Sequence, residues 1–476
     1  MSAASEYDAV IVGSGPNGLS AAIELARHGC SVIVLEADAE IGGGARTREL
    51  TLPGVHHDVC SAVHPLGASS PFFTSLPLEQ HGLTWLHPPV LAAHPLDDEP
   101  AVLLRNAVDE TAGELGADAH RYEQLVGGLA ARWPGLSEDV LGPLRRLPRR
   151  PTDMVRFGRV AARSATWFAE QFATTRARAL VAGMCAHANV PLDRPFTAGI
   201  GLTLMLAGHN SGWPVARGGS GAITGALASY LASVGGQVET SRRVESLADL
   251  PRARVTLFAT SAWEMAAICG ERLSSQYRRS MRAFRRGPGV FKLDLVLSDA
   301  IPWADASCAE AGTIHVGGAL AEVAAAEHAV GVAQDWERPF VLVTQPGVAD
   351  DTRAPEGRHV AWAYCHVPNG STVDMTERIE AQIERFAPGF GALIVARHTM
   401  SPAELEHYNA SYAGGDISGG AMSPRQVLAR PARRVDPYRT SARDIYLCSS
   451  SAPPGPGVHG MCGFHAARSA LRHTLR

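Results

Sequence analysis

Lysine is nearly missing from this chain: of 43 basic residues, Lys292 alone is a lysine. The bias toward arginine reads as genome composition, and it makes the surviving lysine a position of interest. Paired cysteines are missing as well. The eight cysteines are scattered, with no C-x-x-C and no C-x-x-x-x-C. That excludes the disulfide-reductase arrangement and predicts reduced thiols in a cytoplasmic protein. No apolar run is long enough to span a bilayer. A strand is expected to begin by Tyr7, which leaves no room for a signal peptide. Nor is there an excess of charge. The formal net charge is −4, so no nucleic-acid partner is expected. The histidines between residues 56 and 94 lack zincin spacing, and no G-x-S-x-G elbow occurs. No metal and no serine nucleophile are therefore expected.

What is present begins with "YDAVIVGSGPNGLSAAIELARHGCSVIVLE". Residues 9–12 are apolar and β-branched, as a buried parallel strand requires. Gly13, Gly15 and Gly18 form G-x-G-x-x-G, with Ser14, Pro16 and Asn17 filling the turn. Residues 17–28 have helical spacing, and Gly29 can end that helix. Residues 31–35 form a second strand with Glu36 at its tip and Ala37 beyond. Gly13 and Glu36 are 23 positions apart, near the roughly 20 of a dinucleotide fold. Gly13 allows the tight turn, Gly15 lets a pyrophosphate reach the backbone, and Gly18 lets helix and strand pack closely. The helix N-terminus offers free N–H groups to phosphate, and Glu36 can accept from a ribose diol.

A second glycine cluster follows in "ADAEIGGGARTREL", with Gly43, Gly44, Ala45, Arg46 and Thr47. A nicotinamide enzyme has no evident need for it. FAD does, because its extended pyrophosphate and ribityl chain need more backbone donors. The C-terminus supplies a matching piece, "DIYLCSSSAPPGPGVHGMCGFHAARSALRHTL". It reads as a strand at 445–448, a loop at 452–460 and a final helix whose dipole suits the edge of a reduced flavin. Midway, "RGGSGAITGALASYLASVGGQVETSRRVESL" gives a turn, a helix and a strand, and "RARVTLFATSA" gives another strand that ends near Thr260. These predict one cofactor domain in three segments, 1–71, 213–286 and 435–476. The rest, 72–212 and 287–434, is expected to form a substrate domain. Residues 72–212 read as largely helical; 287–434 alternate strands with one good helix at 374–386.

Together the fingerprint, "GGGART", "RGGSGAITGAL" and "APPGPGVHGMCGFHAA" resemble the phytoene desaturase-like flavoproteins of the amine-oxidase and GDP-dissociation-inhibitor-type superfamily. The resemblance runs in order over nearly the whole chain. It implies an α/β fold with a Rossmann-like FAD domain of discontinuous segments and an α+β substrate domain, holding FAD non-covalently. Residue by residue, it implies that Gly13, Gly15 and Gly18 hold the pyrophosphate and Glu36 the adenosine ribose. Gly43, Gly44, Arg46 and Thr47 match the second motif, and Val244 the position whose backbone touches adenine. Ser61, Ala62 and His64 fall where the chain passes the flavin. Gly457, Val458, His459, Gly460 and Met461 match the C-terminal loop along the isoalloxazine, and Ser450 is expected to belong to the cofactor-loop backbone just before it.

The catalytic candidates are Lys292, His459, Asp416 and Tyr412. In "GPGVFKLDLVLSDAIPW", Phe291, Leu293, Leu295 and Leu297 alternate with Lys292, Asp294 and Val296. The stretch resembles the amine-oxidase segment whose strand lysine reaches flavin N5 through a water. Tyr412 and Asp416 sit in a glycine-rich loop that chain order returns toward the flavin; Asp416 can equally serve local backbone hydrogen bonds. The basic stretch 145–163 can rest on a membrane surface or be a solvated helix face.

The expected activity is two-electron oxidation of an apolar or amphiphilic small molecule, with hydride passing to flavin N5 and oxygen or a quinone as acceptor. The alternatives are an amine or alcohol oxidase, a redox-neutral polyene isomerase, and a flavin-free binding protein of the dissociation-inhibitor type.

Overall fold

The computed structural model describes residues 6–144, 146–332 and 336–476. Five parallel strands form the first sheet, in the order Ile445–Leu447, Ala253–Phe258, Tyr7–Val12, Val32–Leu35 and Gln237–Glu239. The inner strands are buried on both faces, which suits their runs of Val, Ile and Leu. Helices Pro16–Ala26 and Met461–His473 pack against each other beside this sheet. Their approach is close enough that a Cβ on Gly463 would overlap the Asn17 carbonyl.

Seven strands form the second sheet, in the order Ile394–Met400, Gly289–Leu297, His359–Val367, Val341–Thr344, Ala311–Val316, Val90–His94 and Val102–Leu104. It is antiparallel apart from the pairing of Val90–His94 with Ala311–Val316. One face buries Phe291, Leu293, Leu295 and Leu297 with helix Thr376–Phe386. The other lies under a helical layer that includes Thr175–Ala186 and Thr197–Ser211.

Every strand of the first sheet comes from residues 1–71, 213–286 or 435–476, and every strand of the second from 72–212 or 287–434. Several features cross that division. Strand Trp85–Leu86 pairs with Val215–Ala216. Phe72, Phe73, Leu76, Leu78 and Leu83 pack into the core of the first sheet. The stretch 72–212, expected to be largely helical, also gives two strands to the second sheet. Their apolar runs, "VLAAH" and "VLL", are too short for a periodicity to distinguish strand from helix. Helix Pro151–Ala161 occupies the middle of the basic stretch, and Arg145 at its start lies outside the described residues. Among the described residues no helix is long and apolar enough to cross a membrane.

Candidate cofactor site and cavity

A cavity of about 650 Å³ runs from the first glycine turn to the second sheet. At its near end Gly13 has φ +101° and donates to the Leu35 carbonyl at 2.8 Å, joining turn to strand. A Cβ on Gly18 would overlap the Gly13 carbonyl oxygen, so helix and turn meet only if residue 18 is glycine. Gly15 differs. Its φ of −65° suits any residue, and the nearest atom to a Cβ built there is Gly43 Cα at 3.8 Å. No atom of the described residues requires glycine at 15. The space it leaves faces the cavity.

The helix that starts at Pro16 has no side-chain cap and no acid in its first turn. Its N-terminal donors and partial positive charge are free for an anion. Asn17 Oδ1 and Thr260 Oγ1 line the cavity or its wall, buried and without partners. Unpaired buried polar atoms are costly unless a ligand satisfies them. Glu36 lies beyond them. Its Oε2 accepts from Ser14 N at 2.9 Å and Ser14 Oγ at 2.6 Å, and its Oε1 from Asp38 N at 3.0 Å and Arg46 Nη2 at 3.2 Å. The uncapped helix end and the two unpartnered polar atoms would suit the pyrophosphate of a dinucleotide.

Of the residues named from sequence, Ala37, Val244, Thr260 and Ser450 line the cavity, as do Ser61, Ala62, Gly457 and Val458. Gly43, Gly44 and Arg46 line it too, roofed by two tyrosines. Tyr408 donates to the Gly43 carbonyl at 2.6 Å and lies 5.4 Å under the Arg46 guanidinium. The Tyr412 hydroxyl occupies the space a Cβ on Gly44 would need. It lies beside Cys60, and burial lifts both groups above their ordinary pKa.

The other named residues stand behind the wall. Ser14 holds Glu36, and Ala45 accepts from Thr224 Oγ1 at 3.2 Å. Thr47 donates to Asp58 at 2.8 Å and accepts from Gly221 N at 3.0 Å. His64 Nε2 meets Ser220 Oγ at 2.9 Å. Gly460 caps the last helix with φ +69°, and Met461 starts that helix in the core.

Three of the four catalytic candidates prove structural in their contacts. His459 is buried, its Nδ1 accepts from Met461 N at 3.0 Å, and its carbonyl accepts from Ser70 Oγ at 2.6 Å. Burial pulls its pKa down to about 4. It staples the loop instead of facing the cavity. Asp416 accepts from the backbone N–H of Gly287, Ser418 and Gly420 at 2.6, 2.8 and 2.9 Å, the local role that its loop allowed. Burial raises its carboxyl pKa, and those three donors oppose the rise. Lys292 is buried one layer back. Its ammonium lies 2.5 Å from both Asp294 oxygens and 5.5 Å over the Trp362 ring. Val55, His57 and Trp362 pack over this face of the strand, and Lys292 is not among the residues that line the cavity. Tyr412 alone of the four lines the cavity.

The far wall was not read from sequence. Trp362 and Tyr364 project from His359–Val367, and His187 and Asn189 follow helix Thr175–Ala186. The alternation of Trp362, Tyr364 and His366 with Ala361, Ala363 and Cys365 carried a period-2 signal. No comparable signal marks His187 and Asn189.

Residues 11–75 match the family model described as NAD(P)-binding Rossmann-like domain. The chain is 27% identical to the rat protein named pyridine nucleotide-disulfide oxidoreductase domain-containing protein 2, over 98% of this chain and 94% of that one. Its fold matches an oxidoreductase from Methanosarcina mazei with a TM-score of 0.66 at 14% identity, covering 98% of this chain and 99% of that one. It matches cyclohexylamine oxidase from Brevibacterium oxydans with a TM-score of 0.60 at 16% identity, covering 99% and 100%. The chain has the two-domain fold of these oxidoreductases.

Proposed function

We propose that the protein is an FAD-dependent oxidoreductase that takes two electrons from a small molecule held between the two sheets. The observation that carries this reading is the space at Gly15, which faces Gly43 and which no atom of the described residues requires. One glycine turn suffices for a phosphate; two facing each other suit the extended pyrophosphate and ribityl chain of FAD. On this reading Gly13 to Gly18 hold the pyrophosphate, Glu36 the ribose, and Val244 the adenine. Gly43, Gly44 and Arg46 continue the cradle, and the loop at 457–458 lies along the flavin. When bound, the flavin supplies hydride acceptance. The chain's own part is to orient the substrate against Trp362 and Tyr364 and to exclude water. On this reading FAD is held non-covalently. The segments 1–71, 213–286 and 435–476 then form the cofactor unit and the remainder the substrate unit.

The names of the relatives support an oxidoreductase; the substrate and the acceptor, oxygen or a quinone, are ours to propose. The test is direct. Purified protein should be yellow, absorb near 450 nm (approximate for the flavin class), and release FAD on denaturation. A colourless protein that rejects added FAD would leave the flavin-free binder as the better reading.

A further inference from the structure

His187 lines the cavity at the end of helix Thr175–Ala186, and its Nε2 lies 3.0 Å from His315 Nε2. One proton sits between those nitrogens, and the residues behind decide whose it is. His94 Nε2 lies 2.6 Å from the Gly318 carbonyl. A carbonyl only accepts, so His94 carries its proton on Nε2 and its Nδ1 is bare. His94 Nδ1 and His315 Nδ1 each lie 2.7 Å from the point a Cβ on Gly183 would occupy, and neither has a partner. Two bare nitrogens facing one gap repel. A proton on His315 Nδ1 directed at His94 Nδ1 removes the repulsion. His315 Nε2 is then bare, so the proton of the 3.0 Å bond belongs to His187. That leaves His187 Nδ1 bare, on the ring edge left for the cavity. Burial keeps the set neutral, with His94 pulled to about 4, His187 to about 3 and His315 well below its ordinary value.

Asn189 gives a second, independent acceptor two residues on. It lines the cavity, and its Nδ2 donates to Ser418 Oγ at 3.2 Å. Its Oδ1 is buried with no donor. The backbone there takes φ +54°, a conformation that non-glycine residues rarely adopt. The neighbouring His366 pairs its Nδ1 with Glu327 at 2.8 Å, and its Nε2 has no partner among the described residues.

We propose that His187 and Asn189 determine specificity: a fixed pair of hydrogen-bond acceptors that selects a neutral substrate bearing an O–H or N–H donor over a hydrocarbon. The term substrate rests on the oxidoreductase reading; the acceptor pair does not. A hydrocarbon in this wall would strand both acceptors, at a cost of roughly tenfold in affinity for each.

The test pairs a spectroscopic measurement on unaltered protein with matched probes. In ¹⁵N-histidine NMR of the protein as isolated, His187 should show Nδ1 unprotonated and Nε2 protonated. Calorimetry should show benzyl alcohol binding about tenfold tighter than toluene or benzyl methyl ether. One O–H reaches one acceptor, so either His187→Phe or Asn189→Leu should narrow that preference to within about threefold, the loss of one neutral hydrogen bond, and the double variant should do so whichever acceptor the probe uses. Equal affinities in the wild type, or a protonated Nδ1, would overturn the proposal. So would an Asn189→Leu protein that loses FAD affinity but keeps the preference, since the cofactor would then be the donor. If the protein takes no FAD yet shows the tautomer and the preference, the acceptor pair stands and the oxidoreductase reading falls.

Discussion

Gly15 and Gly43 meet across the cavity floor, with 3.8 Å between a Cβ built on the first and the Cα of the second. The backbone at Gly15 tolerates any side chain, so a substitution there tests the ligand and not the fold. Gly15→Val should give soluble protein with a urea midpoint near the wild type's and at least a hundredfold weaker FAD binding, about 2.7 kcal/mol. Full FAD occupancy in that variant, seen by absorbance after gel filtration, would remove the pyrophosphate from this turn.

Gly44 and Tyr412 make the complementary case, where glycine serves the protein itself. Gly44→Ala forces the tyrosine hydroxyl out of its place beside Cys60. Overpacking of this kind costs about 1–3 kcal/mol. Tyr412→Phe removes the obstructing oxygen, so the double variant should recover at least about 1 kcal/mol of that loss. Additive single effects in urea unfolding would mean that the two residues are not in contact.

Acid stability follows from the buried histidines. His64, His94, His459 and His465 are pulled by burial to about 4, and His187 to about 3. Each folded value lies below the unfolded value near 6.5, so the unfolded chain binds more protons between them. Stability is full above pH ~6.5 and falls as pH drops toward 4, by about 1.4 kcal/mol per pH unit for each such histidine. Asp294 acts in the other window. Burial favours raising its carboxyl, Lys292 overcomes this with help from His398 and His57, and the net lowering matters only below about 4. Urea midpoints at pH 7.5 and 5.0 should therefore differ strongly, and His459→Gln should flatten the slope. Equal midpoints would show that these histidines are solvated.

The first sheet and the glycine turns were legible because their constraints are local. A turn with φ +101° and a helix that overlaps a carbonyl unless residue 18 is glycine leave marks at fixed spacing. Tyr408 and the pair His187–Asn189 were not legible. They come from segments far apart in sequence and reach the site only through packing. His459 and Asp416 misled for a related reason. Their loops do run beside the cavity, where Val458 and Ser418 line it, but adjacency in sequence does not fix which way a side chain turns. In each case backbone donors captured the side chain.

Lys292 shows the same limit on a strand. Alternation placed it correctly with Asp294 on one face, while the segment's likeness to an oxidase lysine pointed to the flavin. In the structure Trp362 forms the wall and the ammonium lies behind it, paired with a carboxylate that His57 and His398 also approach at 3.6 Å. Removing one partner of a buried pair strands the other, typically at a cost of about 3–5 kcal/mol. Lys292→Met should therefore destabilise the fold by that order, and adding Asp294→Asn should recover at least half. FAD affinity and the rate at which oxygen reoxidises the chemically reduced flavin should stay within about threefold of wild type, under 1 kcal/mol of barrier. A Lys292→Met protein of unchanged stability whose reoxidation slows tenfold or more would put the ammonium at the reacting edge and make the ion pair with Asp294 secondary.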